Sequence, residues 1–211
     1  MSEQNKLANK EGSRRTVYYT KRLPESTNGY ARVQQYLGEW KDNKWEGKGT
    51  LEKADGSRYV GTWVAGKRHG TGTLWNRNKD GSLRKVYTGQ WANDLQQGRG
   101  VYNYPSGDTY NGDWKSGLRH GVGILQEKDR SVYEGEWFAD KPHGFGVLDY
   151  PNGDHFEGAW VDGLKEGQGV HFYFSMAKRV HTKRCAALAP RGLRCSPSFC
   201  PVGSGLARLA Y

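Results

Sequence analysis

The sequence predicts an all-β fold, an elongated single-layer antiparallel β-meander built from about six hairpin repeats of 23 residues. Three observations support this prediction. An aromatic-x-Gly-x-Trp pattern recurs six times, a Gly-x-Gly pattern follows each occurrence, and turn-forming residues separate the two patterns. The chain also contains 30 glycines in 211 residues, about twice the average usage of about 7%, together with eight tryptophans. This composition fits neither an aliphatic layered domain nor a disordered chain, which would be poor in aromatic residues.

The first pattern defines the first strand of each repeat. Side chains two residues apart along a strand point to the same face, so the aromatic ring, the glycine and the tryptophan share a face. Successive pattern glycines are 23 residues apart, except Gly61 and Gly89, which are 28 apart. The five extra residues lie between residues 73 and 86 and lengthen one connection. The residues of this pattern are Tyr36, Gly38, Trp40, Tyr59, Gly61, Trp63, Tyr87, Gly89, Trp91, Tyr110, Gly112, Trp114, Tyr133, Gly135, Trp137, Phe156, Gly158 and Trp160.

The second pattern defines the second strand of each repeat. We expect both of its glycines to face the rings of the first strand and to give them room, the pairing known as aromatic rescue. In the fifth repeat, for example, Gly135, Gly144 and Gly146 are expected to make room for Tyr133 and Trp137. Segments such as KDNK, VAGK and ADKP form turns within repeats, and ADG, PSG and PNG form turns between them. About twelve strands at about 4.8 Å each predict a ribbon of roughly 55 Å.

The chain divides into three regions. Residues 1–35 are expected to form a basic N-terminal arm, in which TVYYTKRL is a candidate cap for the sheet. Residues 36–175 form the repeat sheet, with VHFYF as the candidate cap at its end. Residues 176–211 form a basic, irregular tail that has neither the period nor the composition of the repeats. All three cysteines of the chain, Cys185, Cys195 and Cys200, lie in this tail.

The repeat unit resembles a known family. Units of the form Y-x-G-x-W-x-x-G-x-x-x-G-x-G, matched about six times over residues 36–174, are similar to MORN repeats. The stretches YLGEWKDNKWEGKGTL and LRKVYTGQW resemble short members of the family that consist almost entirely of repeats. The resemblance implies a scaffold without catalytic residues that tethers partner proteins in the axoneme of cilia or flagella, or in developing sperm. It also implies an alternative, a peripheral membrane module that binds anionic phospholipids and links membrane to cytoskeleton.

The formal net charge of +10 comes from the flanking regions. Residues 1–35 hold seven Lys/Arg against three Asp/Glu, and residues 176–211 hold seven Lys/Arg and no acid, whereas residues 36–175 hold 18 against 19. The repeat sheet is therefore not basic, which argues against nucleic acid as a partner. Anionic phospholipid, if it binds, is expected to bind the flanks. Within the sheet, residues 36–85 carry a net +5 and residues 86–175 a net −6. This polarity suits end-to-end homo-oligomers or docking between differently charged partners, and the alternative is drift among solvated side chains.

The sheet face opposite the rings, called the outer face here, is the expected site for protein partners. A single-layer sheet cannot bury both faces, and an exposed apolar surface often marks an interaction site. The alternative is local packing under the N-terminal arm. From residue 101 onward the outer-facing positions next to the Gly-x-Gly glycines become apolar, and we expect them to be adjacent across repeats. The candidate partner-binding residues are Val101, Val122, Ile124, Phe145 and Val147.

Catalytic, cofactor and metal sites are not expected. Histidines at equivalent repeat positions would be about 9.5 Å apart, too far to converge on one zinc ion. The cysteines of the tail lack the paired spacing of a structural zinc site. The polar start without an apolar h-region, and the lack of an apolar run of about 20 residues, predict a cytoplasmic protein. Expected locations are the axoneme or cytoskeleton, or the surface of acrosomal vesicles. The histidines considered are His69, His120, His143 and His181.

Overall fold

The protein forms one antiparallel sheet in the computed structural model, which describes residues 15–22, 30–174 and 183–184. Every strand pairs with its neighbours in sequence, so the predicted single-sheet all-β meander is confirmed. The sheet has fourteen strands rather than about twelve, because β1 and the short β14 extend it at either end. The strands are β1 (Arg15–Arg22), β2 (Tyr30–Lys41), β3 (Lys44–Lys53), β4 (Arg58–Val64), β5 (Lys67–Arg77), β6 (Leu83–Ala92), β7 (Leu95–Asn103), β8 (Thr109–Lys115), β9 (Leu118–Gln126), β10 (Val132–Phe138), β11 (Lys141–Asp149), β12 (His155–Val161), β13 (Leu164–Phe172) and β14 (Lys183–Arg184).

The three expected regions map onto the sheet as follows. The segment TVYYTKRL lies almost entirely in β1, which pairs with β2, and β2 itself begins at Tyr30, before the first aromatic residue of the repeats. The segment VHFYF covers the end of β13 and the two residues after it. The expectation for residues 176–211 falls outside the described residues, except for the two residues of β14.

A two-residue turn joins the two strands of each repeat. In the first repeat the turn residues Asp42 and Asn43 have φ angles of 47° and 58°. Positive φ at both positions is the signature of the type I′ turn, whose twist matches the right-handed twist of paired strands. The third repeat uses Asn93 and Asp94 with φ angles of 50° and 71°. The hairpin register is therefore set by local turn chemistry in each repeat.

The core is a row of rings on one sheet face, called the aromatic face here. In each repeat the pattern glycine pairs with the second Gly-x-Gly glycine, as Gly135 does with Gly146, and the ring of Tyr133 lies over this pair. A Cβ added to Gly146 would lie 2.6 Å from Tyr133 Cε2, so the ring fits only against hydrogen. The Tyr133 hydroxyl donates to the carbonyl of Glu136 at 3.0 Å. The twelve aromatic residues of the first pattern are all buried.

The first glycine of each Gly-x-Gly has a different role, and the prediction that Gly144 makes room for a ring is wrong. Three residues of β11 oppose the single residue Glu136 of β10, which makes a bulge. Gly144 lies in this bulge with φ +67°, and an added Cβ would lie 2.6 Å from the carboxylate of Glu136 on the outer face. The left-handed backbone requires glycine there. The equivalent glycines with positive φ are Gly47, Gly70, Gly98, Gly121 and Gly167.

Indole hydrogen bonds connect each repeat to the one before it. Trp137 Nε1 donates to the carbonyl of Gly123 at 3.0 Å, and the same bond recurs at 3.1 to 3.2 Å in the second, third, fourth and sixth repeats. In the first repeat, Trp40 Nε1 is buried and has no hydrogen-bond partner among the described residues. The other pairs are Trp63 with Gly49, Trp91 with Gly72, Trp114 with Gly100 and Trp160 with Gly146. Each repeat is thus stabilised by its predecessor, as in other repeat arrays.

The five extra residues before the third repeat extend a hairpin. β5 and β6 pair beyond Leu74, with Asn76 opposite Arg84. A register shift next to Leu74 leaves Val86 as an additional residue, and Val86 is buried. The repeat units on either side keep their geometry, because the insertion adds paired residues and one bulge rather than a free loop.

Candidate functional site

The candidate partner-binding residues all point to the outer face. Val122 is 55% exposed, Phe145 52% and Ile124 38%, whereas Val101 and Val147 are half-buried. These side chains lie on β7, β9 and β11, the second strands of the third, fourth and fifth repeats. The outer face of this half of the sheet therefore exposes large apolar side chains on a regular backbone.

The expectation that these apolar residues are adjacent across repeats is wrong. Strand β10 lies between β9 and β11, and its Glu134 pairs with Ile124 on one side and with Val147 on the other. Glu136 of the same strand pairs with Val122. The two apolar rows are therefore separated by a row of carboxylates. The residues next to the Gly-x-Gly glycines all lie on the second strands of their hairpins. They therefore carry no information about the first strand of the next hairpin, which lies between two such second strands.

The acidic rows recur on alternate strands of the outer face. Asp113 on β8 forms an ion pair with Arg99 at 3.4 Å and accepts the backbone N–H of Val122 at 3.1 Å. Glu136 accepts the backbone N–H of Phe145 at 3.0 Å. By contrast, Glu134 on β10 and Glu157 on β12 are exposed, and neither has an ion-pair partner among the residues that the structure describes. Both carboxylates are therefore free anionic groups on the outer face of the described sheet.

A second set of exposed apolar residues, not predicted from the sequence, lies at the hairpin-turn edge of the outer face. The signal was available, because each of these residues directly follows a repeat tryptophan or a hairpin turn. Phe138 is 53% exposed, and its ring lies 5.1 Å from that of His120 and 5.8 Å from that of His143. Near the C-terminal repeats this edge enlarges the apolar surface around Phe145. The residues are Val64, Leu95, Leu118, Phe138, Val161 and Leu164.

The aromatic face is occupied by its own packing. The Arg119 guanidinium lies 4.3 Å from the ring centre of Trp137 and donates to the carbonyl of Asp140 at 2.7 Å. Arg68 has the same arrangement with Trp91 and Asp94, 4.2 Å from the ring centre. These arginines and rings already contact one another, so they are not available for stacking on nucleic-acid bases.

A cavity of about 420 Å³ opens on the aromatic face over the first repeats. Trp45 and Trp63 form part of its wall, and the paired charges of Arg68 and Asp94 lie at its side. It can accommodate a side chain of a partner. Its lining has no cysteine and no histidine.

The histidines do not form a ligand cluster. Across residues 15–22, 30–174 and 183–184, no group of three or more His, Cys, Asp or Glu side chains could hold a metal ion. His120 and His143 are instead ring neighbours of Phe138 on the outer face. The expectations about His181 and the three cysteines fall outside the described part of the chain. In that described part, no helix has the length and apolar content to cross a bilayer.

Comparison with known proteins identifies the repeats. The family model described as MORN repeat matches residues 36–58, 59–81, 87–109, 110–129, 133–155 and 156–174. Alsin of Homo sapiens and of Mus musculus are each 32% identical over 111 residues, which is 53% of this chain but only 6% of Alsin. MORN repeat-containing protein 3 of Xenopus laevis is 43% identical over 44 residues, 20% of this chain and 18% of that protein.

Solved structures also match this chain. The TCP domain of SAS-4 from Drosophila melanogaster, in complex with a proline-rich motif of Ana2, matches with a TM-score of 0.41 and 9% sequence identity. The match covers 80% of this chain and 90% of that domain.

MORN repeats generally mediate protein–protein or membrane–lipid interactions. The chain spans about 6% of the length of the Alsin relatives, so the whole Alsin protein says nothing directly about its activity. The six matched segments, however, cover more than half of the chain, and each contains one ring-over-glycine hairpin. This chain belongs to the MORN-repeat family.

Proposed function

We propose that the protein is a non-catalytic scaffold that tethers partner proteins in the axoneme of a cilium or flagellum, or in developing sperm. The observation that supports this function best is the outer face of β9 to β13. There, Val122 and Phe145 are each more than half exposed on a sheet whose opposite face is already filled. Apolar side chains held in fixed positions on a rigid sheet are suited to binding another protein.

The division of the sheet into two faces strengthens the proposal. All twelve rings of the first repeat pattern are buried on the aromatic face, so the core of the sheet lies on the face opposite Val122 and Phe145. Exposed apolar side chains that contribute little to stability are consistent with a role in binding. Similarity to MORN repeat-containing protein 3 of Xenopus laevis supports a short, repeat-based scaffold. Axonemal or spermatid proteins are the proposed partners, at the cytoskeleton or at the surface of acrosomal vesicles.

Proximity labelling of the tagged full-length protein in ciliated cells tests this function. The wild-type chain is compared with a Val122→Ser/Phe145→Ser double variant and with a Val64→Ser control, which alters an exposed apolar residue in the other half of the sheet. We expect axonemal proteins to be labelled by the wild type and the control. The double variant should lose about tenfold of that labelling, the effect of about 1.4 kcal/mol of binding energy. Equal labelling by all three would remove the outer face as the binding site.

Membrane binding is the second candidate function, and the charge distribution supports it. Residues 1–35 and 176–211 together hold 14 of the 32 Lys/Arg and only three of the 22 Asp/Glu. Basic segments bind anionic lipid surfaces with about 1 kcal/mol for each Lys or Arg near the surface. Flotation with phosphatidylserine vesicles should therefore recover the wild-type chain. It should not recover a variant with the 14 Lys and Arg residues of segments 1–35 and 176–211 replaced by Gln. Continued binding of that variant would show that the sheet itself binds lipid.

A further inference from the structure

We propose that the segment bound by the outer face is a cationic amphipathic helix that lies across strands β9 to β13. Its Lys or Arg side chains contact Glu134 and Glu157, and its apolar side chains contact Phe145 and the valines beside these glutamates. The inference rests on the proposed scaffold function and specifies the chemistry of the partner at that site.

The register of the sheet sets an alternating row across the outer face. Ile124 pairs with Glu134, Glu134 with Val147, Val147 with Glu157, and Glu157 with Val170. A segment that crosses these five strands at right angles therefore meets apolar, acidic, apolar, acidic and apolar side chains in turn. Antiparallel pairing fixes this order, since each residue of the row is directly opposite the next.

The spacing of this row matches an α-helix. Neighbouring strands are about 4.8 Å apart, so like side chains recur about every 9.6 Å along the row. Seven residues of an α-helix rise about 10.5 Å. A helix lying along the row thus presents basic side chains at positions i and i+7 to the two glutamates, and apolar side chains at i+3 or i+4 to the row between them. In an extended strand, side chains on one face recur about every 6.8 Å, which does not match the spacing of about 9.6 Å along the row.

The charges of the surface specify a cationic partner. Glu134 and Glu157 are exposed and have no ion-pair partner among the described residues. On the outer-facing positions of β8 to β13, the only Lys or Arg residues are Lys115 and Lys141, which lie beside hairpin turns, and Lys141 forms an ion pair with Asp162 at 3.6 Å. An anionic lipid surface would be repelled by this face, whereas a basic helix would neutralise it.

Binding of designed peptides to the intact protein tests the proposal. The probe is an 18-residue labelled helical peptide with Lys at positions 1, 8 and 15 and Leu at positions 4, 5, 11 and 12. Fluorescence anisotropy should detect binding that Glu134→Gln/Glu157→Gln weakens by about tenfold. The matched control, Glu39→Gln/Glu52→Gln, removes two outer-face carboxylates from the first repeat and should change affinity less than twofold. Equal binding of a peptide with the same composition in scrambled order, or of one with a central proline, would overturn the helix assignment.

Carbodiimide cross-linking identifies the occupant, because it joins a lysine amine directly to a carboxylate in contact with it. Coupling of Glu134 or Glu157 to a peptide lysine is the expected result. Coupling instead to Lys178 or Lys183 of the same chain, or to a lysine of a second copy, would overturn a partner helix as the occupant. Proximity labelling that still depends on Phe145, without cross-linking of any peptide to Glu134 or Glu157, would leave the scaffold function in place. Only the assignment of a cationic helix as the partner would then be wrong. Absence of both the Phe145-dependent proximity labelling and the peptide cross-link would overturn the scaffold function itself.

Discussion

Two glycines of one repeat, Gly144 and Gly146, are required for different physical reasons although they are only two residues apart. Gly146 has no space for a side chain because the ring of Tyr133 lies against its Cα, and Gly144 has a left-handed backbone at the bulge. The sequence pattern Gly-x-Gly therefore combines a steric requirement with a conformational one. Substitutions can separate the two.

We expect Gly146→Ala to lower the free energy of unfolding by about 3 kcal/mol, since the added methyl group must displace a buried ring. The control is Gly81→Ala, at φ +86°, where a new Cβ would meet nothing within 4 Å. That substitution has only the backbone cost of about 1–2 kcal/mol. Urea unfolding of the two variants measures the difference. A Gly146→Ala variant as stable as the control would show that Tyr133 does not need the space.

The indole hydrogen bonds between repeats can be tested with one substitution at two equivalent positions. Trp137→Phe removes a ring segment and the bond to the Gly123 carbonyl, whereas Trp40→Phe removes only the ring segment, since Trp40 Nε1 has no partner among the described residues. Both side chains are buried, at 3% and 5% exposure. Trp137→Phe should therefore be more destabilising by about 1 kcal/mol, the net worth of a hydrogen bond. Equal unfolding midpoints would mean that the indole hydrogen bond adds nothing to the stability of the contact between repeats.

At the scale of the element, the hairpin is what the sequence predicts best. A strict two-residue spacing identifies the strands and their buried rings, and turn formers such as Asp42 and Asn43 mark the connections. The bulge at Gly144 was not predictable from that spacing, because a bulge breaks the alternation on which it relies. The position of Glu134 between two apolar strands was also missed. The position of Glu134 depends on how strands from different hairpins pair, and the pattern within one repeat does not specify that pairing.

The contact between hairpins at the turn side should depend on the arginine of alternate repeats. The Arg119 side chain lies over Trp137 and binds Asp140, and the Asp140 N–H returns a hydrogen bond to the Arg119 carbonyl at 3.0 Å. Arg119→Met keeps the aliphatic stem but loses the cation–π contact and the ion pair. We expect a loss of about 1–2 kcal/mol, limited because the Asp140 side chain is 44% exposed.

Gln96→Met is the matched control for Arg119→Met. Gln96 occupies the equivalent position of the third repeat, and its carbonyl accepts a bond from Gly117 that the substitution leaves intact. We expect little change in the urea midpoint of this variant. If both variants lose the same stability, the guanidinium contributes no more than any polar side chain at that position.

At the scale of the whole molecule, one face of the sheet holds the buried core, and the other is the face that we propose binds partners. The rings of the aromatic face form a continuous row from Tyr36 to Trp160, and each repeat contacts only its neighbours in sequence. The outer face has a different composition in its two halves, as the charge difference between residues 36–85 and 86–175 predicts. Partner binding near Phe145 should therefore be separable by mutation from folding.

The row of buried tyrosines also makes the stability of the whole sheet fall with increasing pH in the alkaline range. Burial raises the pKa of five repeat tyrosines above the ordinary value of 10, and for Tyr133 burial and the nearby Glu136 carboxylate raise the pKa to about 12. The others are Tyr36, Tyr59, Tyr87 and Tyr110. Below pH 10 both folded and unfolded chains keep these phenols protonated, so stability is complete. As pH rises from 10 towards 12, the unfolded chain releases the protons first, and stability falls.

Urea unfolding between pH 8 and pH 12, with tyrosinate absorbance as a second measurement, tests this dependence. We expect the urea midpoint to fall steeply above pH 10, together with a cooperative rise in tyrosinate absorbance. Tyr133→Phe is the matched variant, because the sixth repeat already uses Phe156 at the same position. The variant should release one proton fewer on unfolding and lose stability less steeply above pH 10. A variant with the wild-type pH dependence would mean that the Tyr133 phenol ionises equally well in the folded sheet, and that its burial under the neighbouring repeat does not hold its proton.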